Sequence, residues 1–222
     1  MEILSINIQD KTESLNYLYN FISKKEIERC KKYRFSIDRL RAVISCLLKR
    51  FIIENKYIKA VPEISMNSFD KPYFKHHPEI KFNLSHSGDC VIIAVSDYEV
   101  GIDCEVVKES DNQLEIAKSY YSKLEYEYLL DRYTRTDELT RTFFDIWTKK
   151  ESFIKAIGKG LSHPLTDFTV PFGEEGCINY DNKLWYIKRL KLNDTNYKAA
   201  VCSETEADCY IKFLDIFDLI KI

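Results

Sequence analysis

The chain has no apolar run long enough to cross a membrane. Its longest apolar stretches, such as Val91–Val95, are far shorter than the roughly 20 residues that a membrane-spanning helix requires. The opening residues MEILS contain an acid and no basic region, so we expect no signal peptide and a cytoplasmic protein. The length of 222 residues is sufficient for one large domain or two small ones.

The chain also lacks paired cysteine motifs. Its seven cysteines are an odd number, are widely spaced and include no C-x-x-C pair. This pattern argues against a disulfide framework or a zinc knuckle, and it favours buried, reduced thiols.

A strong excess of charge of either sign is absent as well, because the formal net charge is −2. This balance argues against a nucleic-acid-binding protein. The segment from Lys24 to Arg50 is an exception, since it contains ten basic residues and three acids. Two interpretations are open: solvated helix faces, or a surface for a phosphorylated ligand or an acidic protein.

The chain does contain a repeated order of helices followed by strands. Capping boxes at Ser23–Glu26 and Ser122–Glu125 predict helix starts, and apolar residues at helical spacing predict long helices over 40–52 and 136–157. The second long helix should stop at Gly158-Lys159-Gly160. Alternating or apolar runs predict strands at 80–85, 91–96, 100–107, 184–190, 197–202 and 210–219.

This order predicts an α+β protein with two similar lobes. The polar stretch 108–113 lies near the middle of the chain and separates the two sets of elements. We therefore place an N-terminal lobe at 1–107 and a C-terminal lobe at 108–222.

The segment GIDCE places two carboxylates on one face of a predicted strand. Asp103 and Glu105 alternate with apolar residues, and their backbone positions are about 7 Å apart. Two like charges this close are unfavourable unless a positive group lies between them. Two interpretations are open: an exposed outer face, or a site for a hard divalent cation that is shared with a phosphate.

The segment WTKKESFIK places a carboxylate on an apolar helix face. Glu151 lies one turn after Trp147, where an apolar residue is expected, and Lys155 lies one turn further, with Lys150 at the border of this face. A buried glutamate requires a lysine, a hydrogen bond or a metal as its partner. The alternative is a Glu151–Lys155 pair on the helix surface, but the place of Glu151 on the apolar face favours a function.

The segment FNLSHSGD places His86 between two serines and before Gly88. The glycine permits a tight turn with positive φ. Two interpretations are open here: a structural turn histidine, or a phosphate contact in which the serine hydroxyls and turn amides add further donors.

In their order and spacing, FNLSHSG, GIDCE, WTKKESFIK and GKGL resemble the 4′-phosphopantetheinyl transferases of the large, surfactin-type branch. The resemblance implies a monomer with two pseudo-symmetric α/β lobes, each a small, largely antiparallel sheet packed with helices, and an active site between the lobes. It also implies transfer of the phosphopantetheine arm of coenzyme A to a serine of an apo acyl or peptidyl carrier protein, with release of 3′,5′-ADP.

The resemblance further implies roles for individual residues. Asp103, Glu105 and Glu151 would bind Mg²⁺, with Mn²⁺ as the alternative ion. Glu151 would be the general base, and Lys150 and Lys155 would stabilise the phosphates. The implied contacts with coenzyme A come from Arg29, Arg41, Lys71, Ser85 and His86, of which Arg41 and His86 would contact the 3′-phosphate.

Two features of the resemblance leave alternatives open. In Asp70-Lys71-Pro72, Asp stands where the family usually has glycine, in a turn position that Asp tolerates. The residues Leu114, Ile116, Tyr120 and Tyr121 lie where the family docks its carrier protein, or else they pack the second lobe. The competing functions are a magnesium-dependent phosphohydrolase and a nucleic-acid-binding module that uses the Lys24–Arg50 segment.

Overall fold

The computed structural model describes residues 1–56, 62–132, 136–160 and 163–221. The helices are Leu15–Leu18 (α1), Lys24–Cys30 (α2), Ser36–Lys56 (α3), Gln113–Tyr120 (α4), Lys123–Leu130 (α5) and Thr136–Ile157 (α6). The strands are Glu2–Asn7 (β1), Ile64–Met66 (β2), Pro72–Phe74 (β3), Lys81–Ser87 (β4), Cys90–Ser96 (β5), Val100–Val106 (β6), Glu175–Tyr180 (β7), Lys183–Leu190 (β8), Tyr197–Ser203 (β9) and Tyr210–Leu214 (β10). Helices and small sheets are segregated, so the predicted α+β class is confirmed.

The first sheet has the strand order β10-β1-β5-β4. Only the β1–β10 pair is parallel among its described pairings, and the others are antiparallel. Strand β5 has the nearly continuous apolar sequence CVIIAVS and is buried along its whole length, because both of its faces are covered. Val91, Ile93 and Val95 face a core shared with α3, whereas Ile92 and Ala94 face the second sheet.

The second sheet has the strand order β6-β9-β8-β7 and is antiparallel throughout. Helix α6 packs against β6, β8 and β9. Gly101 permits a close approach of β6 to α6, since a Cβ at this position would lie 2.1 Å from the Ser152 carbonyl oxygen and 2.3 Å from the Ala156 amide nitrogen. The helix that carries Glu151 and Lys155 is therefore held directly against the strand that carries Asp103 and Glu105.

The two sheets do not follow the predicted division after residue 107. Strand β6, from the first half of the chain, joins the second sheet, where Val100–Val106 pairs with Tyr197–Ser203. Strand β10, from the second half, joins the first sheet through β1. A strand belongs to the sheet with which it shares backbone hydrogen bonds. Strand β6 shares them with β9, which comes from the second half of the chain.

Local patterns located most helices well and the strands less well. Both capping boxes are present, and α6 ends at Ile157 as predicted, before Gly158 with a φ of +69°. The strand expected at 210–219 ends at Leu214, and a 3₁₀ helix follows at Ile216–Ile220. Strands β1, β2, β3 and β7 were not predicted, and Leu161 of the GKGL motif lies outside the described residues.

In the parts of the chain that the structure describes, no helix is long and apolar enough to cross a membrane.

Candidate active site

An open cleft of about 370 Å³ lies where β4, β6 and α6 meet, at the junction of the two sheets. Strand β6 lines it at every second residue and helix α6 at every fourth, whereas β4 lines it with three consecutive residues. The lining residues are Leu84, Ser85 and His86 of β4, Asp103 and Glu105 of β6, and Trp147, Glu151 and Lys155 of α6. The structure therefore brings the three segments singled out in the sequence to one place.

Strand β4 holds β6 with side chains rather than with its backbone. Alternate residues of β4 point toward β6, and each accepts a hydrogen bond from a backbone N–H of β6. The pairs are Ile102 N–H to Asn83 Oδ1 at 2.9 Å, Cys104 N–H to Ser85 Oγ at 3.4 Å and Val106 N–H to Ser87 Oγ at 3.2 Å. We call Asn83, Ser85 and Ser87 the β4 ladder. The ladder satisfies donors along an edge of β6 that would otherwise be buried without partners.

Two members of the β4 ladder also hold the carboxylates of β6. Ser85 Oγ donates to Asp103 Oδ1 at 2.8 Å, and Ser87 Oγ donates to Glu105 Oε2 at 2.6 Å. Asp103 is only 3% exposed, and burial raises its pKa although the charge of Lys155 opposes the shift. Burial also raises the pKa of Glu105. The two carboxylates share one strand face, as the alternation in GIDCE predicts.

Glu151 and Lys155 lie one turn apart on α6 and face the same cleft. Burial raises the pKa of Glu151 to about 7, with Lys155 opposing this shift and Asp103 adding to it. Lys155 Nζ forms an ion pair with Asp103 Oδ1 at 2.6 Å and donates to Ser85 Oγ at 3.3 Å. Burial lowers the pKa of Lys155, but the charge and hydrogen bond of Asp103, together with the charge of Glu151, outweigh burial, so the pKa is raised. Three carboxylates and an ammonium group therefore share the cleft.

The carboxylates of the cleft supply oxygen donors of the kind that a hard divalent cation requires. Among the residues that the structure describes, none forms a hydrogen bond with the buried Asp103 Oδ2, and such an atom is costly unless a ligand satisfies it. In the described residues, no group of three or more His, Cys, Asp or Glu side chains is arranged as a metal site on its own. These residues fit a cation only as part of a ligand set that other oxygen atoms complete.

His86 and Arg41 meet at the end of β4. Gly88 turns the chain with a φ of +51°, and its carbonyl oxygen accepts hydrogen bonds from Arg41 Nε at 3.0 Å and from Arg41 Nη2. Asp38 holds the same guanidinium at 2.7 Å. Desolvation by neighbouring atoms, followed by the charge of Arg41, lowers the pKa of His86. His86 thus lines the cleft, on the strand rather than in the turn, and Arg41 lies beside the turn that follows it.

Two family models together match most of the chain. The model described as "4'-phosphopantetheinyl transferase superfamily" matches residues 99–202, and the model described as "4'-phosphopantetheinyl transferase, N-terminal" matches residues 9–98. The chain belongs to the 4′-phosphopantetheinyl transferase superfamily.

Curated relatives agree with this family and with the surfactin-type branch. The transferase is 37% identical over 190 residues to the 4′-phosphopantetheinyl transferase Sfp of Bacillus subtilis (strain 168), and the match covers 83% of each chain. It is 35% identical over 217 residues to the 4′-phosphopantetheinyl transferase psf-1 of Bacillus pumilus, which covers 93% of this chain and 91% of the relative. The predicted enzyme class is therefore confirmed.

Among solved structures, the holo-[acyl-carrier-protein] synthase (AcpS) of Thermotoga maritima matches 48% of this transferase and 62% of its own chain. The identity is 18% and the TM-score is 0.32, so this match supports no conclusion about the site.

Lys150 of the transferase does not reach the cleft. Its side chain is fully buried, and Nζ lies 2.7 Å from Oε2 of Glu125, which is also fully buried. Nζ donates as well to the carbonyl oxygens of Leu165 and Phe168, at 2.8 Å each. Because neighbouring helix positions differ by about 100°, Lys150 faces the core of the second lobe while Glu151 faces the cleft. This placement corrects the predicted catalytic role of Lys150, which belongs to a structural ion pair.

Lys71 and Arg29 also lie outside the cleft. Lys71 Nζ donates to Glu99 at 2.7 Å and to a carbonyl oxygen in the last turn of α6 at 2.8 Å. Asp70 before it has a φ of +62°, which accounts for glycine as the usual residue at this position of the family. Arg29 Nη2 contacts Cys46 Sγ at 3.3 Å, between α2 and α3. The contacts of Lys71 and Arg29 with coenzyme A that the resemblance implies stay predictions.

Sequence reasoning missed several residues that build the site. The predicted strand at 80–85 included Asn83 but ended before Ser87, and neither residue was given a contact with β6, although three polar residues at alternate positions were a signal that this face meets a polar partner. Tyr197 Oη accepts a hydrogen bond from the Asp89 amide at 2.8 Å and packs against Gly88, where a Cβ would approach it to 2.5 Å. Tyr197 comes from the second half of the chain, so no local pattern could identify this contact.

Replacing Lys150 with methionine tests its structural role. Lys150→Met should lower the free energy of unfolding by about 3 kcal/mol, because it leaves the Glu125 carboxylate buried without a counter-charge. The double variant with Glu125→Gln should recover part of this loss. Urea denaturation followed by circular dichroism measures both effects. Lys123→Met removes an exposed lysine 3.9 Å from Glu127 and is the control, with an expected change below about 0.5 kcal/mol. An equally small effect of Lys150→Met would contradict the structural role.

Proposed function

We propose that this transferase moves the 4′-phosphopantetheine arm of coenzyme A to a serine of an apo acyl or peptidyl carrier protein and releases 3′,5′-ADP. One observation carries the proposal: carboxylates, an ammonium group and His86 line one cleft at the junction of the two sheets, and Arg41 is held beside the turn that follows His86. The cationic groups suit the phosphates of coenzyme A. The carboxylates suit a divalent cation, and one of them can act as the proton acceptor. The names of the curated relatives support the class of reaction.

The nucleotide end of coenzyme A would lie toward the end of β4. The guanidinium of Arg41 has a planar set of donors that matches a phosphate, and its contacts with Gly88 and Asp38 already fix its orientation. His86 adds a ring nitrogen at the same rim of the cleft. These positions support the 3′-phosphate as their ligand.

Asp103, Glu105 and Glu151 would hold Mg²⁺, with Mn²⁺ as the alternative. The unpartnered Asp103 Oδ2 supports this assignment, as does a donor set made of oxygen alone. A protein set that is incomplete by itself agrees with the usual preference of Mg²⁺ for few carboxylates, several waters and substrate phosphates. When bound, the ion would neutralise charge on the pyrophosphate oxygens.

Glu151 is the general base in this proposal. Its carboxylate faces the cleft beside Lys155 and can accept a proton. Glu151 takes the proton of the carrier serine as the serine oxygen forms a bond to the β-phosphorus of coenzyme A. The bond from that phosphorus to the bridging oxygen breaks, and 3′,5′-ADP leaves. The ammonium group of Lys155, at the same cleft, balances the charge on the phosphates.

The carrier protein would dock on α4 and the start of α5, with the transferase acting as a monomer. Tyr120 and Leu124 are 48% and 60% exposed. The ring of Tyr120 packs edge-on against Trp147, with centroids 6.3 Å apart, and Trp147 lines the cleft, so the exposed patch continues into the site. Tyr121 is different, because it is 3% exposed and donates to the Phe143 carbonyl, which is a packing role. An apolar patch beside charged residues suits a protein interface.

The variant Glu151→Gln tests the proposed general base. It should reduce transfer at least about 100-fold, because the amide cannot accept the serine proton, while coenzyme A affinity changes much less. Intact-protein mass spectrometry of an apo-carrier incubated with coenzyme A and Mg²⁺ measures the addition of the arm. Glu206→Gln changes an exposed glutamate outside the cleft and is the matched control.

Two results of this assay would contradict the proposal. Turnover of Glu151→Gln near that of the unchanged protein would exclude Glu151 as the base. Hydrolysis of coenzyme A without a mass gain on any of a panel of apo-carriers would instead indicate a phosphohydrolase.

The variant His86→Ala tests the proposed 3′-phosphate contact. It should raise the KM for coenzyme A about tenfold, which corresponds to the loss of one hydrogen bond to a charged group. The KM for dephospho-coenzyme A should stay within about twofold, because that donor has no 3′-phosphate for His86 to contact. His76→Ala removes an exposed histidine that pairs with Glu63 and is the control. Equal losses with both donors would show that His86 only maintains the structure of the strand end.

A further inference from the structure

Ser87 connects the two sheets at the point where a carboxylate enters the cleft. Its Oγ accepts a hydrogen bond from the Val106 backbone N–H at 3.2 Å and donates one to Glu105 Oε2 at 2.6 Å. One hydroxyl on the first sheet therefore holds both the backbone of the second sheet and an acidic side chain of that sheet. A hydroxyl can fill both roles because it has one donor and two acceptor lone pairs.

The two carboxylates of β6 differ in how firmly they are held. Asp103 Oδ1 accepts hydrogen bonds from both Ser85 and Lys155, at 2.8 and 2.6 Å. In the part of the chain that the structure describes, Ser87 is the only hydrogen-bond donor to Glu105. Loss of Ser85 would leave Asp103 with an ion pair, whereas loss of Ser87 would leave the longer and more flexible Glu105 side chain without a fixed orientation.

We propose that Ser87 is a positioning residue that orients the Glu105 carboxylate toward the divalent cation, an inference that rests on the proposed function. The bond to Oε2 fixes one oxygen of Glu105 and leaves Oε1 available as a ligand. Groups that hydrogen-bond to a metal ligand commonly change metal affinity by about 10- to 100-fold when they are removed. Ser87 has this relation to Glu105 without lining the cleft itself.

The β4 ladder offers a matched control for this role. Asn83 Oδ1 accepts from Ile102 N–H in the same way that Ser87 accepts from Val106 N–H, but within the described part of the chain no hydrogen bond joins Asn83 to a carboxylate. A variant at Asn83 therefore weakens the contact between β4 and β6 without releasing Glu105. A loss of metal affinity that is specific to Ser87 separates positioning of Glu105 from support of the sheet junction.

Isothermal titration calorimetry of the full chain tests the proposal, with Mg²⁺ titrated into protein that has bound coenzyme A. Ser87→Ala should weaken the Mg²⁺ affinity at least about tenfold. Ser87→Thr keeps the hydroxyl, so its Mg²⁺ affinity should stay within about threefold of that of the unchanged protein. The Mg²⁺ affinity of Asn83→Ala should also stay within about threefold, although this variant should have a lower thermal stability. If Ser87→Ala fails to fold, Ser87→Cys keeps the side-chain size but is a much weaker hydrogen-bond donor, and it should lose affinity in the same direction.

Three outcomes would overturn the inference. The first is unchanged Mg²⁺ affinity in Ser87→Ala, or in Ser87→Cys where that variant replaces it. The second is an equal loss in Ser87→Ala and Asn83→Ala, which would assign the effect to the sheet junction. The third is the absence of Mg²⁺ binding by the unchanged protein, which would contradict the proposed metal site itself and is distinguishable because it does not depend on Ser87.

Discussion

Strand β6 is held along its two edges by different chemistry. One edge pairs with the backbone of β9, whereas three of the N–H groups on the other edge bond to the side chains of Asn83, Ser85 and Ser87 on β4. Because side chains rather than carbonyl groups occupy this second edge, the two sheets meet without merging into one. The same hydroxyl groups then have a proton to donate, and those of Ser85 and Ser87 donate to the carboxylates of β6. A backbone pairing here would satisfy the N–H groups but would place no donors beside these acids.

Helix α6 is held in place by buried, charged side chains that do not face the cleft. Lys149 and Lys150 are both fully buried. Lys149 Nζ donates to the carbonyl oxygens of Pro171 and Gly173 at 2.9 and 2.7 Å, and Lys150 pairs with Glu125 of α5 at 2.7 Å. These contacts tie the helix to the rest of its lobe, and the absence of a side chain at Gly101 brings it against β6. Glu151 therefore faces the cleft from a rigid element, which is what its proposed role as general base requires.

Features that depend on neighbouring residues could be predicted from the sequence, and features that depend on distant contacts could not. The capping boxes at Ser23 and Ser122 and the end of α6 before Gly158 are local, and the pairing of Asp103 with Glu105 on one face follows from strand alternation. The membership of β6 in the second sheet depends on β9, about 100 residues further along the chain, so no local pattern could predict it. Lys150 was misassigned because a residue at the border of an apolar helix face can turn either way, and the buried partner that decides is Glu125, 25 residues earlier.

The position of the cation tests most directly whether the junction of β4, β6 and α6 is the site of phosphopantetheine transfer. Crystals grown with coenzyme A and Mn²⁺ can be measured at the manganese absorption edge, where the ion gives an anomalous signal and the protein gives almost none. We predict one strong peak in the cleft, within ligand distance of Asp103 and of the coenzyme A pyrophosphate. Coenzyme A bound away from the cleft, or bound in it with the manganese peak elsewhere, would contradict this assignment.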